Sequence, residues 1–460
     1  MGRINEEEYR SRQGYGMNDY IGKLGIEYIF EEYLRGEEGT KQVDMDINGT
    51  KTAEYDTKEA IQGSDVVLTI DANLQKVAEN ALAKNLEKMR NGSFGEVCKA
   101  DRGAVVVTNV KTGEILAMVS LPDYEPQLFL NGISDEKWKE YQSNNALYNV
   151  AAQGSYAPGS IFKMITAIAG LESGAITTNE KINDTGVYPY GHHPVCWIWT
   201  LYRSGHGLIN VSDAIKKSCN FFFYEVGYRM GIETLEKYAK YFGLGEKTGA
   251  EVLSETSGIL AGKTYYDKIG ETWYLGNTLS AAIGQAENSF SPLQIAKYIS
   301  MLTNGGKNID LTLVKTIIKQ DGTKVSDEEI KEFVDNKLGR VNENKEDLNI
   351  KKENLEAILE GMRSVTNESG GTAYSVFRNF DIEVGGKTGS AEAGNKTNGW
   401  FVGFAPFDDP EISIVVFVEG GKHGSYTAEV ARDIIAEYFG MEAEKVIEDN
   451  SITTYTQTIQ

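Results

Sequence analysis

The stretch Tyr156-Ala157-Pro158-Gly159-Ser160-Ile161-Phe162-Lys163 sets a hydroxyl and an amine three residues apart at the head of an apolar run. Pro158-Gly159 holds off an earlier start, so a helix is expected from Ser160 to Leu171. Ile161, Phe162, Met164, Ile165, Ala167, Ile168, Ala169 and Leu171 leave that helix no polar face, the pattern of a buried helix. Positions i and i+3 share a face, which puts Lys163 beside Ser160. Burial and the positive helix end both favour the neutral amine. A neutral amine beside a hydroxyl is a base beside a nucleophile. A lone Ser-x-x-Lys is more often a helix cap with a snorkelling lysine. A second copy, Ser134-Asp135-Glu136-Lys137, lies in a polar stretch that suits only a surface helix.

Two further elements follow in order. Ser218-Cys219-Asn220 precedes the aromatic run Phe221 to Tyr224, and Lys387-Thr388-Gly389-Ser390 follows Gly385-Gly386. Other copies exist: Ser143-Asn144-Asn145 repeats the second pattern, and Lys111-Thr112-Gly113 and Lys247-Thr248-Gly249 repeat the third. Lys111 to Gly113 reads as a hairpin turn and Lys247 to Gly249 as a loop. Only Lys387 to Ser390 reads as part of a strand, with Trp400-Phe401-Val402-Gly403 beyond it.

With S-x-x-K, S-x-N and K-T-G in this order, the chain resembles the penicilloyl serine transferase superfamily. Asp65 to Leu82, Gly103 to Asp123, Gly276 to Leu293 and Trp400 to Pro406 look like class B penicillin-binding proteins, the monofunctional transpeptidases. Asn18 to Glu27 and Leu34-Arg35-Gly36 look like the lobe of the elongation-type members. The resemblance implies a peptidoglycan D,D-transpeptidase. Ser160 would attack the penultimate D-alanine carbonyl of a stem peptide, with Lys163 as base and Ser218 passing a proton to the leaving D-alanine. An amine of a second stem peptide would resolve the acyl-enzyme. Asn220 would hold the substrate amide, and the N–H groups of Ser160 and Ser390 would form the oxyanion hole. Lys387, Thr388, Gly389 and Ser390 would bind the terminal carboxylate. β-Lactam antibiotics would acylate Ser160. The resemblance also implies a separate glycosyltransferase and other cell-wall proteins as partners, at the outer face of the bacterial cytoplasmic membrane. A membrane anchor, absent from this chain, would hold the native protein there. Met1-Gly2 reads as an engineered start or the trace of a deleted segment. A β-lactamase, a β-lactam sensor and a D-Ala-D-Ala carboxypeptidase share the motifs. Rapid β-lactam turnover, or hydrolysis without transfer to an amine, would mark the first and the last of these.

A metal site is expected beside the second motif. The chain has only three cysteines and four histidines, yet Cys196, His206 and Cys219 fall close together in sequence. Their spacing allows a closed zinc site, and Asp184 is the expected fourth ligand, with His192 or His193 as the rival. Some class B relatives carry zinc in this region. The alternative is that Cys219 is a small buried apolar side chain beside a solvated loop.

These residues need a frame. Residues 66–70 read as a buried strand and 72–90 as an amphipathic helix. Residues 104–109 and 114–119 read as a hairpin. Residues 213–242, 291–303, 354–366 and 427–439 read as helices, and 382–391, 399–405 and 412–419 as antiparallel strands. The fold class expected is α/β of the α+β type, an antiparallel sheet flanked by helices and assembled from distant segments. Residues 1–63 form a partial pedestal or dimerisation-type lobe, with a helix at 27–35 and a hairpin at 43–56. Residues 64–445 form the transpeptidase domain, in which 321–353 is an exposed excursion, and 446–460 a disordered tail.

Composition narrows the partners. Acidic residues number 67 and basic ones 46, giving a net charge of −21, which argues against nucleic acid as a partner. No apolar run reaches the roughly 18 to 20 residues that span a bilayer. Three cysteines are too few and too odd in number for a disulfide framework.

Overall fold

The computed structural model describes residues 1–12, 14–130, 132–340 and 346–441. The expected tail at 446–460 lies outside the described residues. Among the described residues, no helix is long and apolar enough to cross a membrane.

Five antiparallel strands make the central sheet, in the order Gly385–Ala393, Lys396–Ala405, Ile412–Glu419, Arg102–Asn109 and Ile115–Leu121. Val-, Ile- and Phe-rich strands suit its middle, where Ile412 to Val418 is buried on both faces. The helices Ala72–Arg90 and Gly424–Tyr438 pack together over one face, and Pro292–Thr303 covers the other. Ser291 caps this last helix through the Gln294 N–H, with Pro292 in its first turn. Where the helix meets the sheet, the hydroxyls of Thr108, Ser300 and Ser413 satisfy one another at 2.7–3.0 Å, so no buried polar atom is left there without a partner.

The predicted helix at Ser160 starts as a 3₁₀ turn, Gly159–Phe162, and becomes α-helical only from Lys163 to Glu172. Every residue from Lys163 to Leu171 is buried, as its unbroken apolar character requires. Residues 213–242 hold three helices rather than one: Val211–Lys216, Asn220–Met230 and Ile232–Tyr241. The first break puts the second motif at a helix junction, and Gly231 makes the other.

Two expectations need correction. The 66–70 strand does not join the central sheet; Asp65–Leu68 pairs instead with Val314–Ile318 in a separate two-stranded sheet and is only partly buried. The 321–353 excursion contains a packed helix, Asp327–Leu338, capped by Ser326. Its Ile330 and Val334 join Ile29, Phe30, Val314, Ile317 and Val325 in a second core. Phe333, its ring against Phe30 and Tyr33, and Leu338 pack against the same core, so an apolar stripe docks the helix despite the charge around it. Part of this segment, residues 341–345, lies outside the described residues. The 27–35 helix divides at Phe30 into Gly25–Ile29 and Glu31–Leu34. The hairpin forms as expected, Thr40–Met45 against Lys51–Lys58, with Asp46 accepting from the Asn48 and Thr50 N–H groups in its turn.

Candidate active site and metal centre

The Ser160 turn is wedged between the sheet and the helical layer. Gly159 has φ +55°, and a Cβ there would lie 2.8 Å from the Ser390 carbonyl oxygen, so only glycine lets the turn approach the Lys387 strand. The Gly159 N–H donates to Gly284 O at 2.9 Å, the Trp400 indole to Ala157 O at 3.0 Å and the Tyr298 hydroxyl to Ile161 O at 2.9 Å. Backbone on both sides of the serine is thereby fixed from three elements.

Lys163 is fully buried, and no carboxylate pairs with it among the described residues. Its Nζ donates to Asn220 Oδ1 at 2.7 Å, Ser218 O at 2.8 Å and Ser218 Oγ at 3.2 Å. Lys387, also fully buried, donates to Thr388 O at 2.8 Å and to the same Ser218 Oγ at 3.0 Å. Burial lowers the Lys163 ammonium to about 8, against an upward pull from Cys196 and Cys219. Burial first, and then the charge of Lys163, push Lys387 well below the usual lysine range. Two amines on one hydroxyl oxygen cannot both hold a full charge cheaply, so at least one is neutral and able to accept a proton.

Ser218 stands at φ +51°, a left-handed backbone that a serine rarely adopts. This reversal lies between the helices Val211–Lys216 and Asn220–Met230. It carries the Ser218 hydroxyl to the two lysines and sends Cys219 the other way. The Ser160 hydroxyl makes no hydrogen bond among the described residues, so no hydrogen bond joins Ser160 to Lys163, and the amine bonds to Ser218 and Asn220 instead. The 3₁₀ start and the strong acceptors on Ser218 and Asn220 draw the amine to the second motif. Such pairs often close only when substrate arrives.

On the third motif, Thr388 Oγ1 lies 2.6 Å from Thr372 Oγ1, and Ser390 Oγ accepts the Gly424 N–H at 3.3 Å. Gly389 lies against Ile161 and Pro158 of the serine turn. The sequence reading gave no role to Thr372, Tyr298 or Gly284, although Gly284 lies in the Gly276 to Leu293 stretch that carries the resemblance and the Gly370-Gly371 break precedes Thr372. The other motif copies stay apart from the crevice. Ser134 caps the surface helix Asp135–Asn144, where Lys137 pairs with Glu140. Lys111 pairs with Asp409 at the turn between two strands.

Cys219 points into a second polar cluster. Asp184, Cys196, His206 and Cys219 bring one ligand atom each within 4.8 Å of one another. Asp184 comes from the short strand Ile182–Asp184, paired with Gly207–Ile209 just after His206, while Cys196 immediately precedes the helix Trp197–Tyr202. His192 and His193, the rival ligands, are outside this group. Cys196 Sγ lies 3.8 Å from Cys219 Sγ and 3.6 Å from His206 Nδ1. Around a tetrahedral ion with metal–sulfur bonds of about 2.3 Å and a metal–nitrogen bond of about 2.0 Å, those edges would measure about 3.8 and 3.5 Å. Cys219 Sγ lies 3.3 Å from Asp184 Oδ2, while the His206 Nδ1–Asp184 Oδ2 edge of 2.7 Å is that of a hydrogen bond. Donor types and spacing therefore fit a small, soft divalent ion. Its hydrogen bond with Cys219 lowers the Cys196 thiol, against burial and with help from His206, whereas burial raises Cys219. Asp184 is held at about 2: burial opposes its charge, but bonds from His206 and Gly186 prevail. Burial likewise opposes charge on His206, yet Asp184 and Cys196 raise it to about 9.

Comparison with known proteins accords with this geometry. The penicillin-binding protein transpeptidase domain family matches residues 103–436, which is most of the chain. The chain belongs to that family. The penicillin-binding protein dimerisation domain matches residues 1–68. Peptidoglycan D,D-transpeptidase MrdA of Acinetobacter baumannii is 31% identical, over 94% of this chain and 63% of its own length. MrdA of Haemophilus influenzae is 32% identical, over 94% and 64%. The chain thus spans less than two thirds of these curated relatives. Among solved structures, Pseudomonas aeruginosa PBP2 in complex with WCK 5153 is 30% identical, with a TM-score of 0.76 over 95% of this chain and 87% of that one. A chain of a peptidoglycan synthase complex described as coordinating polymerization and crosslinking is 32% identical, with a TM-score of 0.82 over 96% and 74%. The antiparallel sheet with flanking helices and a small N-terminal lobe is the architecture these proteins share.

Proposed function

We propose that this chain is the catalytic part of a peptidoglycan D,D-transpeptidase that works through a serine acyl-enzyme and is acylated by β-lactams. The observation that carries the reading is the meeting of Lys163 and Lys387 at the Ser218 hydroxyl, next to the Ser160 turn. Ser160 Oγ attacks the carbonyl of the penultimate D-alanine and loses its proton to the neutral Lys163 amine. The tetrahedral oxygen takes hydrogen bonds from the Ser160 and Ser390 N–H groups. Ser218, shared by the two lysines, passes the proton to the departing D-alanine nitrogen. Asn220 holds the donor amide, and Lys387 with Thr388, Gly389 and Ser390 holds the terminal carboxylate. An acceptor amine then attacks the acyl-enzyme, and Ser160 regains its proton.

Asp184, Cys196, His206 and Cys219 would hold zinc. A bound ion would supply structure rather than chemistry, tying the 184–206 loop to the residue between Ser218 and Asn220. We also take residues 1–63 as a pedestal lobe and 64–445 as the transpeptidase domain. By likeness to the relatives, the domain works outside the cytoplasmic membrane beside a glycosyltransferase and other cell-wall proteins. A Helicobacter pylori PBP2 with 26% identity has been solved in complex with MreC. The test is to incubate the protein with a soluble D-Ala-D-Ala peptide and an amine acceptor. Released D-alanine with the amine-linked product supports transfer. Hydrolysis alone indicates a carboxypeptidase, and rapid β-lactam turnover a β-lactamase.

A further inference from the structure

Among the edges of the metal cluster, the one between Cys196 and Cys219 joins two sulfurs in direct contact, 3.8 Å apart and both buried. A zinc site takes nitrogen, sulfur or oxygen donors and does not require two of them to be thiols. Two thiols in contact can do what a thiol beside a carboxylate cannot: they can bond to each other. A disulfide holds its sulfurs about 2.0 Å apart, so this pair must close by about 1.8 Å. Cys196 immediately precedes Trp197–Tyr202, a surface helix with no buried residue, so its side of the pair can yield. The third cysteine, Cys98, lies elsewhere, with its sulfur against the Glu96 carbonyl.

Closing the pair would reach the crevice. Cys219 Sγ accepts the Phe222 N–H at 3.3 Å, and the Cys219 N–H donates to Ala214 O at 2.9 Å. These bonds hold the residue that follows the left-handed turn at Ser218. Drawing Cys219 Sγ toward Cys196 takes it from Phe222 and from Asp184 Oδ2. It also loads the peptide that sets the Ser218 hydroxyl between Lys163 and Lys387, at a backbone conformation with strain to release. On the reading above, the domain works outside the cytoplasmic membrane, where disulfides form and persist.

We propose that Cys196 and Cys219 are a redox pair: a peroxide joins them in a disulfide, which ends their use as metal donors and slows acylation of Ser160. The proposal rests on the metal and transpeptidase readings above. One sulfur gives an electron pair to a peroxide oxygen, the O–O bond breaks, water leaves and the sulfur becomes a sulfenic acid. The other sulfur attacks that sulfur, the S–O bond breaks, a second water leaves and the S–S bond forms. Two thiols and one hydrogen peroxide thus give one disulfide and two waters. Each sulfur is oxidised by one electron and each peroxide oxygen reduced by one. Where the sulfurs start as metal-bound thiolates, the same balance takes two protons from solvent. Asp184 and His206 alone are too few donors to keep zinc. A thiol reductant reverses the bond.

The test treats protein purified without chelator with hydrogen peroxide. A chromogenic chelator follows zinc release, intact mass and peptide mapping without reductant follow the bond, and the benzylpenicillin adduct follows acylation. The expected result is a loss of about 2 Da, two hydrogens, with a linked Cys196–Cys219 peptide and zinc released in step. Acylation should slow about tenfold or more, the scale of an ångström-sized displacement at a catalytic group, and return after dithiothreitol and zinc. Rates before and after peroxide are compared within each protein, so basal differences cancel. Cys98→Ser should respond as the wild type does, and Cys196→Ser and Cys219→Ser should show no such slowing. Oxygen additions in place of the mass loss, a bond through Cys98, unchanged acylation in the disulfide form, or equal slowing in Cys196→Ser each overturn the pair. If the protein carries no zinc yet forms the bond and slows, the metal reading falls and the pair stands. If zinc is bound and peroxide leaves it in place, the pair alone falls. If the reduced protein forms no penicillin adduct, the transpeptidase reading falls, and the proposal with it.

Discussion

Cys219 divides two buried polar groups that solve opposite problems. On one side, Ser218 and Asn220 face Lys163 and Lys387, cations with no carboxylate partner, and burial strips charge from them. On the other, Asp184, Cys196, His206 and Cys219 crowd one carboxylate, one imidazole and two thiols within 4.8 Å. The first needs nothing from outside: with at least one of the two amines neutral, its base is ready. The second already holds a cation, the His206 imidazolium that Asp184 and Cys196 favour, and a bound metal ion would take over that role. A buried charge can be removed by losing a proton or met by an ion, and here the two answers share a three-residue segment. Damage to either group should therefore reach the other through the left-handed turn at Ser218, though unequally.

The largest effect is expected in the crevice. Lys387→Ala should slow penicillin acylation by about 10² to 10⁴-fold, as loss of a placed proton-transfer or charge-stabilising group does. Lys111→Ala and Lys247→Ala should change it less than about twofold. Stopped-flow acylation rates decide it, and equal damage from Lys111→Ala would refute the assignment of the third motif.

A smaller effect should follow from emptying the cluster. Protein purified without chelator should carry close to one zinc. Cys219→Ser, or a strong chelator, should lower the melting temperature by about 5 °C or more and slow acylation several-fold. Less than a tenth of an equivalent of zinc, or melting indifferent to both treatments, would leave the cluster a plain hydrogen-bonded knot.

The mildest test is pH. The neutral amine is the base, and Lys163 is lowered to about 8. Acylation should therefore rise about tenfold per pH unit below that value and level off above it. A profile flat from pH 6 to 9 would mean that Lys163 is not the base.

What the sequence disclosed follows from how local each cause is. The buried Lys163 helix, the 291–303 helix and the 43–56 hairpin depend on neighbours in sequence, and all were legible. The meeting of the three motifs was legible only through the resemblance, because it depends on a sheet built from residues 102–121 and 385–419. The target of the Lys163 amine was missed because Ser218 adopts a backbone that serine rarely takes. The strand at 66–70 has the apolar character of a core strand, yet it pairs with a segment nearly 250 residues on, and nothing nearby encodes that choice. Asp184 was the expected fourth ligand, with His192 or His193 left as the rival, because its own bonds lie outside any local pattern.

The central claim is that Ser160 is the nucleophile of this crevice. Intact-mass measurement with peptide mapping after brief exposure to benzylpenicillin tests it directly. The account requires one adduct, on Ser160, that is lost in Ser160→Ala and forms slowly in Lys387→Ala. An adduct on Ser134, Ser143 or Ser218, or one that survives Ser160→Ala, would contradict it.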